Sequence, residues 1–189
     1  KAFELKIKTL NKNKLKKKSV YAIGEIGLDY YHNDDNKKEQ RDFFRELCEV
    51  AKRVELPILI HSRDAFKDTF QVLKEADIPK KGIFHCFSGN IEDAKNALDY
   101  ILSFSGSVTY LKNDFIREAA KYVPKDMFTI ETDAPYLTPQ KVRGRANEPS
   151  FIPYTVEVLA EARKENKEDI MRWALENAVR VLELPINLL

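Results

Sequence analysis

Cysteine and histidine are scarce in this chain, with two and three among 189 residues. Cys48 and Cys86 are too few for a disulfide framework. One falls on the apolar face of a predicted helix and the other at the end of a buried strand. They point to a reducing compartment, the cytoplasm or the nucleus. No apolar run approaches the roughly 20 residues of a membrane span, and no signal-peptide pattern occurs, so a membrane partner is not expected. Repeats, low-complexity tracts and linkers are absent too, so residues 1–189 read as one domain, long enough for a substantial core. A net charge of +2 is too mild to name a nucleic-acid partner by itself. The one local excess is Lys12, Lys14, Lys16, Lys17 and Lys18, read as a solvated helix end or loop, with a phosphate contact as the alternative.

What the chain does have is four short segments: AIGEIGLDYY (22–31), ILIHSRDA (58–65), GIFHCFSG (82–89) and TIETDAPYLTP (129–139). Each is a run of β-forming apolar residues broken by one residue able to hold a metal: Glu25, His61, His85 and Asp133. Between these runs the apolar period turns helical. Strands are expected at Val20–Glu25, Ile58–Ile60, Gly82–Phe84, Ile101–Ser105 and Met127–Ile130. Helices are expected at about 37–55, 64–75, 91–99, 113–122, 152–165 and 167–182. The first should turn Phe43, Phe44, Leu47, Cys48, Ala51 and Val54 inward. The second should turn Phe66, Thr69, Phe70 and Leu73 inward, and Asn90 should cap the third.

Strands alternating with helices imply parallel β/α units, and uninterrupted apolar runs suit strands covered on both faces. An open doubly wound sheet would gather its site at one switch point. Here polar residues end the first, second, third and fifth strands, the pattern of the C-terminal face of a TIM barrel.

Two acids and two imidazoles suit divalent ions such as Mg²⁺, Mn²⁺ or Zn²⁺. A pair of such ions about 3.5–4 Å apart stabilises both oxygens of a phosphoester displacement, and a nearby acid can take the proton of water. Taken singly, each residue has a plainer explanation. A lone His after a strand is more often a core or surface residue, Glu25 between glycines could only turn the chain, and Asp133, Asp29 or Asp64 could be caps. Four such coincidences at the same end of successive strands are harder to sustain. The third histidine, His32, is read as a loop residue. Gly24 and Gly27 allow close backbone approach around Glu25. Arg63 lies two residues past His61, Ser88–Gly89 follow His85, and Arg143, Arg145 and Asn147 lie in the loop RGRANEP, where Glu148 is placed to hold an arginine. Arg63, Arg143, Arg145 and Asn147 are candidate contacts to a phosphate backbone.

In order and spacing, GEIGLDYY, PILIHSRDA, GIFHCFSG, ETDAPYLTP and RGRANEP resemble successive motifs of the TatD-type metal-dependent deoxyribonucleases. The resemblance covers nearly the whole chain. It implies a TIM barrel of the metal-dependent hydrolase superfamily and cleavage of phosphodiester bonds in DNA, as a 3′–5′ exonuclease. It also implies metal binding by Glu25, His61, His85 and Asp133, with Glu25 and Asp133 catalytic and Asp133 activating water.

The family pattern begins with Asp-x-His-x-His, and no His-x-His occurs here. Residues 1–19 read instead as a lysine-rich helix or loop, and the chain begins at Lys1 rather than Met. The expectation is therefore an incomplete barrel of about five parallel strands, with the first three strand–helix units missing. The missing strands would come from upstream sequence or a partner chain, because an open edge would expose Ile23, Leu59 and Phe84. The full two-metal site is expected only in a complete protein. Two further readings stand beside this one: a non-catalytic remnant that binds nucleic acid or a partner, and a metal-dependent amide or ester hydrolase.

Overall fold

A computed structural model describes residues 20–32 and 34–186, and the lysine run 12–18 lies outside them. The fold is α/β. Five strands, β1 (Ile23–Asp29), β2 (Ile58–Arg63), β3 (Gly82–Phe84), β4 (Ile101–Phe104) and β5 (Phe128–Ile130), follow one another in the order β1-β2-β3-β4-β5. Helices α1 (Lys37–Val54), α2 (Phe66–Ala76), α3 (Ile91–Asn96), α4 (Asp114–Tyr122), α5 (Ile152–Arg163) and α6 (Lys167–Leu182) alternate with the strands or follow the last. The chain divides into two compact units. One runs up to Ile83 and takes in Val181–Leu184; the other runs from Phe84 to Arg180 and resumes at Pro185.

In the first unit, α1 carries Glu39 in its first turn and Lys52 and Arg53 in its last, as the helix dipole favours. Phe44, Cys48, Ala51 and Val54 recur at three- and four-residue spacing and are buried. The helix stops at Glu55, which is left-handed (φ 53°), and the Leu56 N–H returns to the Ala51 carbonyl. Pro57 then leads into β2, which pairs with β1 in parallel, Gly27 opposite His61 and Asp29 opposite Arg63. Ile26, Leu28, Ile58 and Ile60 are buried on one side of this pair. The other side holds Gly27, Asp29, Leu59, His61 and Arg63 by the two-residue alternation of a strand, while Glu25 lies in a bulge between Ile23 and Ile26 where the register shifts. Gly27 has φ 148°, and a Cβ there would lie 1.9 Å from the His61 carbonyl oxygen. Only glycine lets β1 pass this close.

In the second unit, β4 pairs in parallel with β5, Ser103 opposite Thr129. All residues of β4 are buried. Phe84, Phe87, Phe104 and Tyr100 meet edge to face around this pair, at centroid distances of 5.5–6.4 Å. The Asn177 amide of α6 donates to the carbonyls of Phe128 (2.7 Å) and Lys125 (2.9 Å), fixing the helix against β5. Asn90 caps α3, accepting from the Glu92 and Asp93 N–H groups, and the Asp93 carboxylate returns to the Asn90 N–H.

Several expectations change here. The first strand begins at Ile23 rather than Val20 and runs through Glu25 to Asp29, because Ile26–Asp29 find partners on β2. Its glycines do not end the strand. β1 and β2 are buried on one face only, whereas β3 and β4 fit the expectation of cover on both. Phe43 is 56% exposed rather than inward, and on α2 the residues packed inward are Thr69, Val72, Leu73 and Ala76. Phe66 and Phe70 stack on one another at 5.9 Å on its half-exposed side.

Gly27→Ala places a methyl group against a backbone carbonyl that cannot move without breaking the β1–β2 register. It should lower stability by at least about 2 kcal/mol, which for a chain of this size is a fall of about 4–8 °C in Tm. Thermal unfolding followed by circular dichroism reads this directly, and an unchanged midpoint would contradict the close approach.

Candidate functional site

In the first unit, strand pairing brings Glu25 and His61 together: Glu25 Oε1 lies 2.7 Å from His61 Nδ1. The other ring nitrogen, Nε2, lies 3.3 Å from Asp29 Oδ2. His61 is therefore held by carboxylates at both nitrogens. Asp29 is itself tightly placed. Its Oδ1 accepts from the N–H groups of Tyr31 and His32, and its Oδ2 meets His32 Nδ1 at 2.7 Å. Gln40 of α1 donates to the Asp29 carbonyl and accepts from its N–H. Burial pushes the Asp29 carboxyl up, but the bonds from the His32 side chain and backbone and from His61 outweigh it and bring the pKa to about 2. Asp29 is thus a turn residue and a fixed anion beside His61, not a helix cap.

Arg63 comes two residues after His61 on the same face of β2, and its guanidinium carbon sits 3.8 Å from the centre of the Tyr31 ring. Behind this corner, Tyr30 donates to Asp68 Oδ2 at 2.7 Å and Arg41 donates to the same oxygen at 2.8 Å. That buttress ties the β1 end to α2 and α1.

In the second unit, His85 immediately follows β3, and its Nδ1 lies 2.8 Å from Glu131 Oε1. That oxygen makes no aligned hydrogen bond, so the pair is an ion-pair contact. The other oxygen, Oε2, accepts from the Ser103 hydroxyl at 2.6 Å, which anchors the carboxylate to β4. Cys86 Sγ lies 3.1 Å from Ser105 Oγ. Burial holds its thiol up at about 12, against the hydrogen bond from Ser105, so it stays protonated and is no nucleophile at neutral pH.

Asp133 follows β5 in a left-handed conformation (φ 61°), and its carbonyl accepts from the Tyr136 N–H at 2.9 Å. Asn147 is buried and uses its amide on this turn, donating to the carbonyls of Thr132 (2.7 Å) and Tyr136 (2.6 Å). Its action here is to pin the Asp133 turn. Arg143 lies 4.3 Å from the Tyr110 ring centre and Arg145 lies 4.9 Å from that of Phe151. Glu148 accepts from the Ser150 hydroxyl and holds neither arginine, contrary to expectation.

Glu25 and His61 lie within their strands, while His85 and Asp133 lie beyond strand ends. Within the first unit, Glu25 and His61 offer a carboxylate and an imidazole to a metal ion. The donor types fit a hard or borderline divalent cation, and a carboxylate already 2.7 Å from an imidazole needs no large movement to share one. Two residues escaped the sequence reading, Asp29 and Glu131. Each is the other carboxylate of a two-acid motif, Asp29 after Glu25 in GEIGLD and Glu131 before Asp133 in ETD, so the signal lies in the sequence.

A family model described as TatD related DNase matches residues 2–183. An uncharacterized metal-dependent hydrolase of Bacillus subtilis, YabD, is 42% identical over 168 residues, 87% of this chain and 66% of that protein. The metal-dependent hydrolase TatD of Mycobacterium tuberculosis is 39% identical over 172 residues, 87% of this chain and 65% of its own. The crystal structure of the Escherichia coli TatD homologue YJJV superposes with a TM-score of 0.84 at 30% identity, over 92% of this chain and 69% of that one. This chain thus spans about two thirds of the length of these relatives. Because the family match starts at residue 2, it lends no support to the expectation that the first three strand–helix units are missing.

Two outcomes follow from the carboxylates. Asp29 has a folded pKa of about 2, below the ordinary value of about 3.9. Its contribution to stability is therefore full above about pH 4 and is lost as pH falls toward 2. Asp29→Asn should be less stable at pH 7 and show a flatter loss of stability between pH 4 and 2 in urea titrations. Equal slopes in the two proteins would contradict this. Glu131→Ala removes the carboxylate that orients His85 and should weaken Mn²⁺ binding about 10- to 100-fold in calorimetric titration, with folding retained.

Proposed function

Because the chain belongs to the TatD related DNase family, we propose that it acts as a metal-dependent hydrolase of phosphodiester bonds in DNA, working as a 3′–5′ exonuclease. Its five parallel strands are read as strands of a TIM barrel. The observation that carries the proposal is the Glu25–His61 contact at 2.7 Å, an acid and an imidazole brought together on adjacent strands in a family of metal-dependent hydrolases. Glu25, His61, His85 and Asp133 are the proposed ligands of a divalent ion, Mg²⁺, Mn²⁺ or Zn²⁺. When bound, such an ion supplies Lewis acidity that polarises the phosphoryl group and makes water a better nucleophile.

The chain's own residues divide the remaining work. Asp133 takes the proton from the attacking water, and the turn held by Asn147 fixes where that carboxylate stands. Asp29 holds His61 in orientation from the Nε2 side, which leaves Nδ1, the nitrogen that faces Glu25, for the ion. Glu131 orients His85. Arg63, Arg143 and Arg145 neutralise the phosphodiester. Among the described residues none of the three has a carboxylate partner, whereas Arg41, Arg45, Arg117 and Arg172 do. Guanidinium groups left unneutralised favour a polyanion over a neutral amide or ester. Cys48 and Cys86 are free thiols, which suits a reducing, cytoplasmic location. No helix among the described residues is long and apolar enough to cross a membrane.

The test is hydrolysis of a 3′-labelled DNA oligonucleotide with Mg²⁺, Mn²⁺ or Zn²⁺. Cleavage is expected, with release from the 3′ end. Chelator should abolish it, and Asp133→Asn should reduce kcat at least about 100-fold. Salt-sensitive binding without product under any of the three ions would support a non-catalytic nucleic-acid binder instead.

A further inference from the structure

The loop after β4 is built around one side chain. Arg117 of α4 donates to the carbonyls of Val108 and Tyr110, both at 2.7 Å, and to that of Leu111 at 3.3 Å. Its charge is balanced by Asp114 at 2.5 Å. Three backbone carbonyls within four residues are thereby closed onto one guanidinium, which fixes the loop. The same loop is joined to the one after β5. Thr109 Oγ1 accepts from the Gln140 N–H at 2.8 Å and donates to the Gly106 carbonyl at 2.6 Å. At Gly106 any Cβ would lie 2.0 Å from the Leu137 carbonyl oxygen, so the two loops are in backbone contact. Tyr110 leaves this rigid base with its ring half-buried, and the Arg143 guanidinium rests 4.3 Å from the ring centre.

We propose that Tyr110 is a positioning residue for substrate: its ring is a shelf, locked by Arg117, that holds the Arg143 guanidinium ready for a phosphate of the DNA backbone. This rests on the phosphodiesterase reading above. A carboxylate neutralises an arginine and takes one or two of its five donors, whereas an aromatic face leaves the charge and the N–H groups at the edge for a ligand. Arg143 has no other close partner among the described residues than Gln140 Oε1 at 3.5 Å, a contact at the limit of hydrogen bonding. Without the shelf, an exposed arginine on a glycine-containing loop would lose rotamer freedom on binding, and that cost would appear as weaker capture of the anion.

The test uses the full chain with Tyr110→Phe, Tyr110→Leu, Arg143→Ala and the double variant Tyr110→Leu/Arg143→Ala. On the Mg²⁺-dependent cleavage of a single-stranded DNA oligonucleotide, Tyr110→Leu should raise KM about three- to tenfold with kcat kept within about twofold. Tyr110→Phe, which keeps the ring face, should match the unaltered protein. Tyr110→Leu should add nothing in the Arg143→Ala background. A readout without substrate accompanies this: the Arg143 Nε–H resonance should be ring-current shifted in the free protein, lose that shift in Tyr110→Leu and keep it in Tyr110→Phe. Equal effects of Tyr110→Leu with and without Arg143, or no ring-current shift in the unaltered protein, would overturn the proposal. A shifted resonance in a protein that neither binds nor cleaves the oligonucleotide would overturn the phosphodiesterase reading, and with it the role for the shelf.

Discussion

The close passage of β1 across His61 is the constraint on which the first unit depends. The register Gly27 opposite His61 is possible only because position 27 has no side chain to strike the His61 carbonyl. That register decides what can meet on the polar face. It sets Glu25 against one ring nitrogen of His61 and Asp29 against the other. A slip of one residue would turn Glu25, Asp29 and His61 toward the buried face that now holds Ile26, Leu28, Ile58 and Ile60. Packing and chemistry are thus specified by the same two-residue alternation. The core takes every second residue, and the cost of partly burying Asp29 on the other side is outweighed by the hydrogen bonds it receives from His32 and His61.

Each imidazole that the sequence picks out is held by a carboxylate anchored elsewhere. Glu131 is tied to β4 through Ser103, and Asp29 is tied to its own turn and to α1 through Gln40. The consequence is orientational. An imidazole has two nitrogens, and a fixed anion against one of them decides which direction the other faces. Asp29, ionised through the neutral range, does this without competing for a proton.

Much of this was legible from the residues, for reasons that differ by element. Helix α6 and strand β3 come out with their expected ends, and Asn90 caps α3 as its position suggested, since caps and turn residues act locally. The β1 boundaries were not legible. The expected strand ends at Glu25, and only pairing with β2, a non-local fact, carries it on through Ile26–Asp29. Phe43 was counted inward on periodicity, but it stands beside the narrower stripe of Phe44, Cys48, Ala51 and Val54 and is exposed. Glu25, His61, His85 and Asp133 were identified by residue type. Their partners Asp29 and Glu131 were not, because which of two nearby acids faces an imidazole depends on register and on the turn that follows. Asn147 was read for its polar atoms, while its position in space commits those atoms to the backbone of the Asp133 turn.

The arginines follow a rule that sequence alone could not separate. Arg41, Arg45, Arg117 and Arg172 are held by acids and stitch helices, turns and loops to one another. Arg63, Arg143 and Arg145 rest instead on Tyr31, Tyr110 and Phe151. An aromatic face attracts a guanidinium through its quadrupole but carries no net charge, so it orders the side chain without cancelling its field. Where an acid makes an arginine part of the scaffold, a ring leaves it a cation in search of an anion. Arg163 of α5 also lies over a ring, that of Phe128, but it donates to the carbonyls of Ala120 and Val123 and so belongs to the scaffold, whereas Arg63 follows His61 on β2 and Arg143 and Arg145 lie in the loop after Asp133. Arg63 closes β2, and Arg143 and Arg145 lie in the loop after β5, so each follows a proposed metal ligand in the chain and keeps its charge for an anionic substrate.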